Sequence, residues 1–214
     1  MLKKIVLAAL VSLPFLATYA QDIETPSPRL RISASGGYAY RLGKKPSSND
    51  YYKNISRGPA FEAGFSYFFN RQSGIGIKYS EFSSSGSGNL VTGQFASSNI
   101  KIRYAGPVYQ TRLISYSGNF HFLSGISLGY LGYRDNAVIG PAGANSKGST
   151  IGAMAELGGD LRIVRKLFAG ILISVYSGKL SSMQVNGASV KLNEQQLESL
   201  SRIEGSVGLR YSFF

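Results

Sequence analysis

The sequence predicts an all-β protein, an eight-stranded antiparallel up-and-down barrel that spans a membrane. Eight segments alternate apolar and polar residues at the period of a β-strand, whose successive side chains point to opposite faces. Their connections alternate long and short, as in barrels that carry loops at one membrane surface and turns at the other. With 26 Gly, 14 Tyr and 12 Phe and mean hydropathy near zero, the composition favours half-apolar strands over membrane helices.

The first twenty residues have the features of a secretory signal peptide. Two lysines give a positive start, residues 5–16 form an apolar core, and a small-x-small site places cleavage between Ala20 and Gln21. An uncleaved anchor is the alternative, but the apolar run is shorter than the roughly 20 residues that span a bilayer. We therefore expect residues 1–20 to be removed on export.

A short lead at 21–28 precedes the barrel domain, predicted at 29–214. Its first three strands are predicted at 29–42, 58–69 and 74–82, joined by a long polar loop and a tight turn. The apolar alternate positions are expected to face lipid. They are Leu30, Ile32, Tyr38, Tyr40, Phe61, Phe65, Tyr67, Phe69, Ile75, Ile77 and Tyr79.

The fourth strand is predicted at 95–114, after a Ser/Gly-rich loop at 83–94. Proline cannot donate to a ladder, so Gly106-Pro107 predicts a bulge or bend. Lys101 and Arg103 are expected to face the lumen. The expected lipid-facing residues are Ile100, Ile102, Tyr104 and Val108.

The next three strands are separated by a long loop at 135–148 and a tight turn, and the longest loop, 178–201, follows them. Within that loop, residues 192–200 could form one or two helical turns. The strands are predicted at 119–134, 149–163 and 167–177. Their expected lipid-facing residues are Phe120, Phe122, Ile126, Leu128, Tyr130, Ile151, Leu157, Leu161, Ile171, Ile173 and Val175.

The eighth strand, 202–214, has an apolar face that includes Ile203, Val207 and Leu209 and a charged opposite face. It is expected to pair with the first strand, because closure leaves no unpaired edge in lipid. A soluble barrel with an apolar core is the alternative. The signal peptide and the aromatic residues near strand ends favour the membrane barrel.

Charged residues on the inward faces are expected to form a polar network in the lumen. Eight strands enclose an interior only wide enough for side chains, and an unpaired charge there is costly. The expected members are Glu62, Lys78, Lys101, Arg103, Glu156, Asp160, Arg162, Arg202, Glu204 and Arg210. A structural plug is the favoured interpretation and a narrow ion path is the alternative, since open porins have about 16 or more strands.

Several other function classes are disfavoured. The absence of cysteine excludes disulfides and thiolate sites. The net charge of +12 falls to +10 without Lys3 and Lys4, and the remaining basic residues are scattered along an exported chain, which argues against nucleic-acid binding. The only histidine, His121, is expected in the lumen, and no G-x-S-x-G motif is present. We therefore predict no catalytic, cofactor or metal residues.

The end of the chain resembles the insertion signal of bacterial outer-membrane β-barrels, in which a glycine is followed by spaced aromatic residues. The matching residues are Gly208, Tyr211 and Phe213, followed by Phe214. The segments Y-A-G-P-V-Y (104–109) and G-I-S-L-G-Y-L-G-Y (125–133) are similar to outer-membrane β-barrel domains of the Bacteroidota, within the broad type that includes OmpA, OmpX and OmpW. The resemblance implies a porin-like fold in a Gram-negative outer membrane, with periplasmic chaperones and the barrel-assembly machinery as partners.

The expected function is non-enzymatic, a structural or surface-interaction role through the outer loops. Basic residues outnumber acidic ones there, so outer-membrane lipids such as lipopolysaccharide are expected partners through their phosphates. The surface ligand itself is left open. A channel for ions or small solutes is the first alternative, and a lipid-modifying enzyme is the second.

Overall fold

The computed structural model describes residues 29–43, 50–90, 93–193 and 197–213. The predicted signal peptide with Ala20 and Gln21, the lead and Phe214 lie outside these residues. Eight long strands form the barrel: β1 (Leu30–Arg41), β2 (Arg57–Phe68), β3 (Ser73–Asn89), β4 (Phe95–Ile114), β5 (Phe120–Ile139), β6 (Ala142–Val164), β7 (Leu167–Ser177) and β12 (Arg202–Phe213). The smaller elements are α1 (Asp50–Ile55), β8 (Lys179–Leu180), β9 (Ser182–Val185), β10 (Ala188–Lys191) and β11 (Glu198–Ser199).

The barrel is closed by its first and last long strands. Each long strand pairs antiparallel with the next, and β12 pairs with both β7 and β1. The β1–β12 ladder runs without a shift from Leu30 opposite Phe213 to Arg41 opposite Arg202. The predicted closure is confirmed, and it satisfies the backbone groups that lipid could not. We call the end that carries α1 and β8–β11 the loop end, and the opposite end the turn end.

An apolar belt surrounds most of the barrel. Ile77, Leu128, Ile171 and Val207 are each more than 60% exposed, although such residues are usually buried. The predicted outward faces of strands one, two, three, five, six, seven and eight are confirmed. Within the described residues, no helix is long and apolar enough to cross a membrane.

The predicted faces of the fourth strand are wrong. Ile100, Ile102, Tyr104 and Val108 are buried inside the barrel, and Lys101 and Arg103 point outward. The prediction assumed that apolar residues face lipid throughout. Ile100 and Ile102 face inward because this part of β4 extends beyond the belt, where the interior is apolar and the outside is polar. Val108 lies within the belt and faces inward because Pro107 and Tyr109 occupy the outward positions beside it.

Gly106-Pro107 interrupts pairing without producing the predicted bulge. β4 pairs with β5 at Ala105 opposite Tyr130 and again, in the same register, at Val108 opposite Ser127. A Cβ added to Gly106 would lie 2.7 Å from the Cα of Gly129, so glycine permits a close backbone approach here. A shift of register is found instead in the β6–β7 ladder, between Arg162 and Val164.

Two predicted loops are strands. The predicted loops at 83–94 and 135–148 are largely occupied by the β3–β4 and β5–β6 hairpins, whose ladders continue to Asn89 opposite Phe95 and to Ile139 opposite Ala142. Serine and glycine at these positions favour a loop, but antiparallel pairing with the neighbouring strand keeps them extended. The barrel wall is therefore much taller at β3–β6 than at β1, β2, β7 and β12.

The remaining loops fold over the loop end. The glycines of β3 allow α1 to pack closely, since a Cβ on Gly86 would lie 2.9 Å from the Cβ of Asn54. β9 and β10 form a hairpin whose turn residues, Asn186 and Gly187, both have positive φ, as a two-residue type I′ turn requires. The predicted helical turns at 192–200 are wrong for the described part of that range, where β11 pairs with β8.

Candidate functional site

The middle of the barrel interior is built around Lys78. Its Nζ lies 3.1 Å from Oε1 of Glu62 and forms a closer ion pair with Glu156. All three side chains are at most 6% exposed. The Tyr176 hydroxyl donates to Glu62 at 2.8 Å, and Gln110 donates to Glu156 at 2.7 Å. The carboxylates thus retain several partners away from water, as buried charges require.

A second charged group lies toward the turn end. Asp160 is paired with Arg31, and the Nε of Arg210 lies 3.3 Å from its Oδ1. Arg210 also donates to the backbone oxygens of Gly170 and Gly208, at 2.7 and 2.9 Å. Arg31 was missing from the predicted network, although its inward position in the β1 alternation is the signal that could have identified it.

A third group lies toward the loop end and is covered by aromatic rings. Arg202 donates to the Ser80 hydroxyl at 2.8 Å, and its Nε lies 3.4 Å from Oε2 of Glu204. Its guanidinium stacks 3.9 Å from the Tyr176 ring centroid. Tyr176, on β7, meets Tyr104, on β4, with ring centroids 5.1 Å apart. Since β4 and β7 are not adjacent, this tyrosine pair spans the lumen.

Three of the predicted network residues lie elsewhere. Lys101 and Arg103 have side chains 46% and 53% exposed on the outer surface, so assigning them to the lumen was wrong. Arg162 is on an inward-facing position of β6 but is exposed at the turn end, beyond the closed interior. There its guanidinium lies 5.6 Å from the Phe168 ring centroid. The structure places the other seven inside: Glu62, Lys78, Glu156, Asp160, Arg202, Glu204 and Arg210.

Above the tyrosine pair the interior becomes apolar. Ile102, Phe82, Leu131, Leu180 and Leu200 are each fully buried, drawn from barrel strands and from the loop that covers them. Tyr51 and Ile55 of α1 pack into the same cluster. Covering loops bring these residues together from distant parts of the sequence, so strand alternation alone could not predict the cluster.

Two partly buried polar contacts stabilise this apolar cap. Arg41, whose side chain is fully buried, pairs with Glu198 of β11. Asp135 lies 3.3 Å from the Ser98 hydroxyl and 3.4 Å from the Tyr133 hydroxyl, and burial raises the pKa of its carboxyl. Its Oδ1 makes no hydrogen bond. Arg41 was also missing from the predicted network, although its inward position in the β1 alternation could have identified it.

The outer surface of the loop end carries a basic groove. The groove has a volume of about 740 Å³ and is lined on β4–β6 by Lys101, Arg103, Arg134 and Lys147. Arg103 donates from Nε to Glu81 at 2.7 Å, a hydrogen bond that holds the pKa of that carboxyl below its usual value. The other wall comes from the β9–β10 hairpin.

His121 is enclosed at the turn end of the barrel. It is 2% exposed at the turn end, and its ring centroid lies 4.5 Å from that of Phe168. Among the described residues it forms no ion pair with a carboxylate, and these residues contain no cluster of His, Cys, Asp and Glu able to hold a metal. The residue therefore packs as part of the closed turn end.

Solved structures of small outer-membrane barrels share this fold. OprG from Pseudomonas aeruginosa aligns with a TM-score of 0.54 and 12% identity, over 90% of this chain and 99% of that chain. Neisserial surface protein A aligns with a TM-score of 0.55 and 14% identity, over 86% and 97%.

At these identities the similarity concerns the fold and not an activity. No protein-family model and no curated protein matches the sequence. The closed ladder, the exposed apolar belt and the charged interior are nevertheless the features that a bilayer requires of a β protein. The chain is a membrane-spanning eight-stranded β-barrel with the fold of the small outer-membrane barrel proteins.

Proposed function

We propose that this protein is a non-conducting, non-enzymatic barrel of a Gram-negative outer membrane that acts through its loop end. The observation that carries the proposal is the succession of closures inside the barrel. Ion pairs around Lys78 are covered by the Tyr104–Tyr176 pair and then by an apolar cap. The exposed polar groove lies outside, on β4–β6. The chemistry available to a partner is therefore on the surface of the loop end.

The transport alternative has less support. The cavity beside Lys78 and Glu156 holds only about 20 Å³, roughly the space of one water molecule. A passing ion would have to break buried pairs and then cross the apolar cap, and both steps are costly. A role in which the interior is a rigid plug requires neither step.

Conductance in planar bilayers tests the proposal. We expect the folded protein, verified by heat-modifiable gel migration, to give no conductance above that of the bare bilayer. A variant carrying Tyr104→Ala and Tyr176→Ala removes the ring pair across the lumen but leaves the ion pairs and most of the apolar cap, so it is also expected to give no conductance. Reproducible channels from the unaltered protein would overturn the proposal.

The enzymatic alternative is tested separately. His121→Ala is expected to leave the lipid profile of the producing cells unchanged, because His121 is buried and forms no ion pair with a carboxylate of the described residues. A modified lipid that disappears in a deletion strain and in His121→Ala would establish an activity and reject the non-enzymatic assignment. Insertion through Gly208, Tyr211 and the terminal phenylalanines, with chaperones and the assembly machinery, remains a prediction.

A further inference from the structure

Three cations lie side by side across the outer face of the loop end. Lys101 of β4 is directly opposite Arg134 of β5, and Arg134 is directly opposite Lys147 of β6. We call these three residues the cation row. Like charges at directly opposed positions of a sheet destabilise it. This arrangement therefore has a cost that an anionic ligand would offset.

The described part of the chain supplies little compensation for the row. Glu81 approaches Lys101 at 3.8 Å, but its closer partner is Arg103, at 2.7 Å. No carboxylate of the described residues lies within 4.0 Å of Arg134 or Lys147. The positive charge therefore remains open to an external anion.

The row lies just above the membrane belt. Four residues toward the turn end along each strand, the outward residues are Ala105, Tyr130 and Ile151. Tyr130 is 57% exposed, in the manner of a tyrosine at the membrane interface. Four residues span about 13 Å along a strand, or about 10 Å of height at a tilt of about 40°. Long basic side chains at that height can reach the phosphates of the headgroup layer.

The surface between the row and the belt is recessed. The intervening residues on β5 and β6 are Gly132 and Ser149, both small, and they lie on the floor of the groove. The Tyr130 ring leans toward Gly132, with its Cε1 3.2 Å from where a Cβ would be. Ser182 and Gln184 of β9 supply hydrogen-bonding groups on the far side. A phosphorylated headgroup therefore has both space and donors here.

A separate apolar depression lies in the belt on the same strands, beyond Tyr130 and Ile151. Its volume is about 1310 Å³, and Pro107, Leu128, Ala153 and Ala155 are among its outward-facing lining residues. The small alanines and the proline lower the surface beside Leu128, which is 68% exposed. Acyl chains attached to the headgroup could lie in this depression.

We propose that the outer face of β4–β6 binds a phosphate-bearing, acylated lipid of the surrounding leaflet. The phosphates contact the cation row, the headgroup fills the groove, and the acyl chains lie in the depression. A basic groove and an apolar depression at successive heights on the same three strands favour a lipid over a soluble anion. This assignment rests on the proposed function, because it places the loop end at the outer surface and gives it a partner.

Native mass spectrometry of the folded full chain in detergent tests the assignment. The probes are diphosphorylated lipid A, the same lipid without phosphates, and inorganic pyrophosphate. The test variant combines Arg134→Gln with Lys147→Gln. The control combines Lys179→Gln with Lys191→Gln, which removes the same charge from exposed positions outside the groove.

We expect diphosphorylated lipid A to bind the unaltered protein and the control equally, and the test variant about tenfold more weakly or worse. The dephosphorylated lipid should bind poorly to all three, and pyrophosphate should not compete at the same concentration. Equal losses in test and control variants, equal binding of the two lipids, or effective competition by pyrophosphate would each overturn the assignment. If lipid A does not bind and the protein gives no conductance, the lipid site is rejected and the proposed function stands. If the protein conducts, the proposed function is rejected whatever the result of the lipid-binding test.

Discussion

The belt region and the loop end are built from the same strands with opposite polarity. In the belt, β3 and β5 direct Ile77 and Leu128 outward, while Lys78 of β3 is buried in the charged interior. At the loop end, β4 and β5 direct Ile102 and Leu131 inward, and Lys101 lies outside. Lipid favours an apolar exterior and water a polar one, so the reversal marks where the strands leave the membrane.

The reversal is encoded as a change of parity in the sequence. Along β5, Leu128 and Tyr130 face outward at even positions, whereas Leu131 and Tyr133 face inward at odd positions. The β4–β5 register is the same on both sides of this point, so no bulge has rotated the strand. A shift of apolar residues from one parity to the other, without extra residues, is therefore a sequence signal for a barrel strand that continues beyond the bilayer.

The largest expected effect on stability comes from breaking the buried ion pairs of the belt region, compared with breaking an exposed ion pair at the loop end. Lys78→Met leaves the carboxylates of Glu62 and Glu156 buried without their common cation, which should lower the free energy of unfolding by about 3–5 kcal/mol. Arg103→Met breaks the exposed pair with Glu81 at the loop end and should cost about 1 kcal/mol or less. Urea titrations in lipid vesicles, followed by gel migration, measure both.

A second variant checks the cause of the Lys78 effect. Adding Glu156→Gln to Lys78→Met removes one of the two opposed negative charges and should recover part of the lost stability. Similar costs for Lys78→Met and Arg103→Met, or no recovery in the double variant, would mean that water reaches the interior far more freely than the packed network implies.

A smaller effect is expected when the same substitution, valine to arginine, is made on the outer surface of the belt and of the loop end. Val207 and Val138 both face outward, the first in the belt at 65% exposure and the second at the loop end at 46%. Val207→Arg should cost about 2–4 kcal/mol, because arginine is destabilising on the lipid face near mid-membrane. Val138→Arg should change stability by less than about 0.5 kcal/mol, as at an ordinary water-exposed site. Equal costs would place Val138 inside the bilayer.

The sequence predicts the belt region well and the loop end poorly, for a physical reason. In the belt, one rule assigns apolar residues to lipid, and alternation recovers the outward faces of seven strands and the inward position of Lys78. The rule reverses at the loop end, which is why Lys101 and Arg103 were misplaced. Contacts across the lumen, such as Tyr104 with Tyr176, depend on which non-adjacent strands face each other, and a single strand's pattern does not contain that information.

The smallest effect is a pair of opposite pH dependences within the loop end. Burial raises the pKa of Asp135 above its ordinary 3.8, so the native state keeps a proton that the unfolded chain releases. Stability should therefore fall as pH rises from 3.8 to the raised value, and remain lower above it. Asp135→Asn should remove this decline and increase the free energy of unfolding at neutral pH. The increase should be smaller than the decrease expected for Val207→Arg.

Glu81 provides the control of opposite sign, because the hydrogen bond from Arg103 lowers its pKa below the ordinary 4.5. Its contribution should be present above pH 4.5 and be lost as pH falls through the lowered value, so Glu81→Gln should reduce stability at neutral pH but not in acid. Urea titrations of both variants at a series of pH values compare the slopes. If the two variants shift stability in the same direction at neutral pH, then Asp135 is solvated like Glu81, and the apolar cap does not exclude water from the loop-end interior.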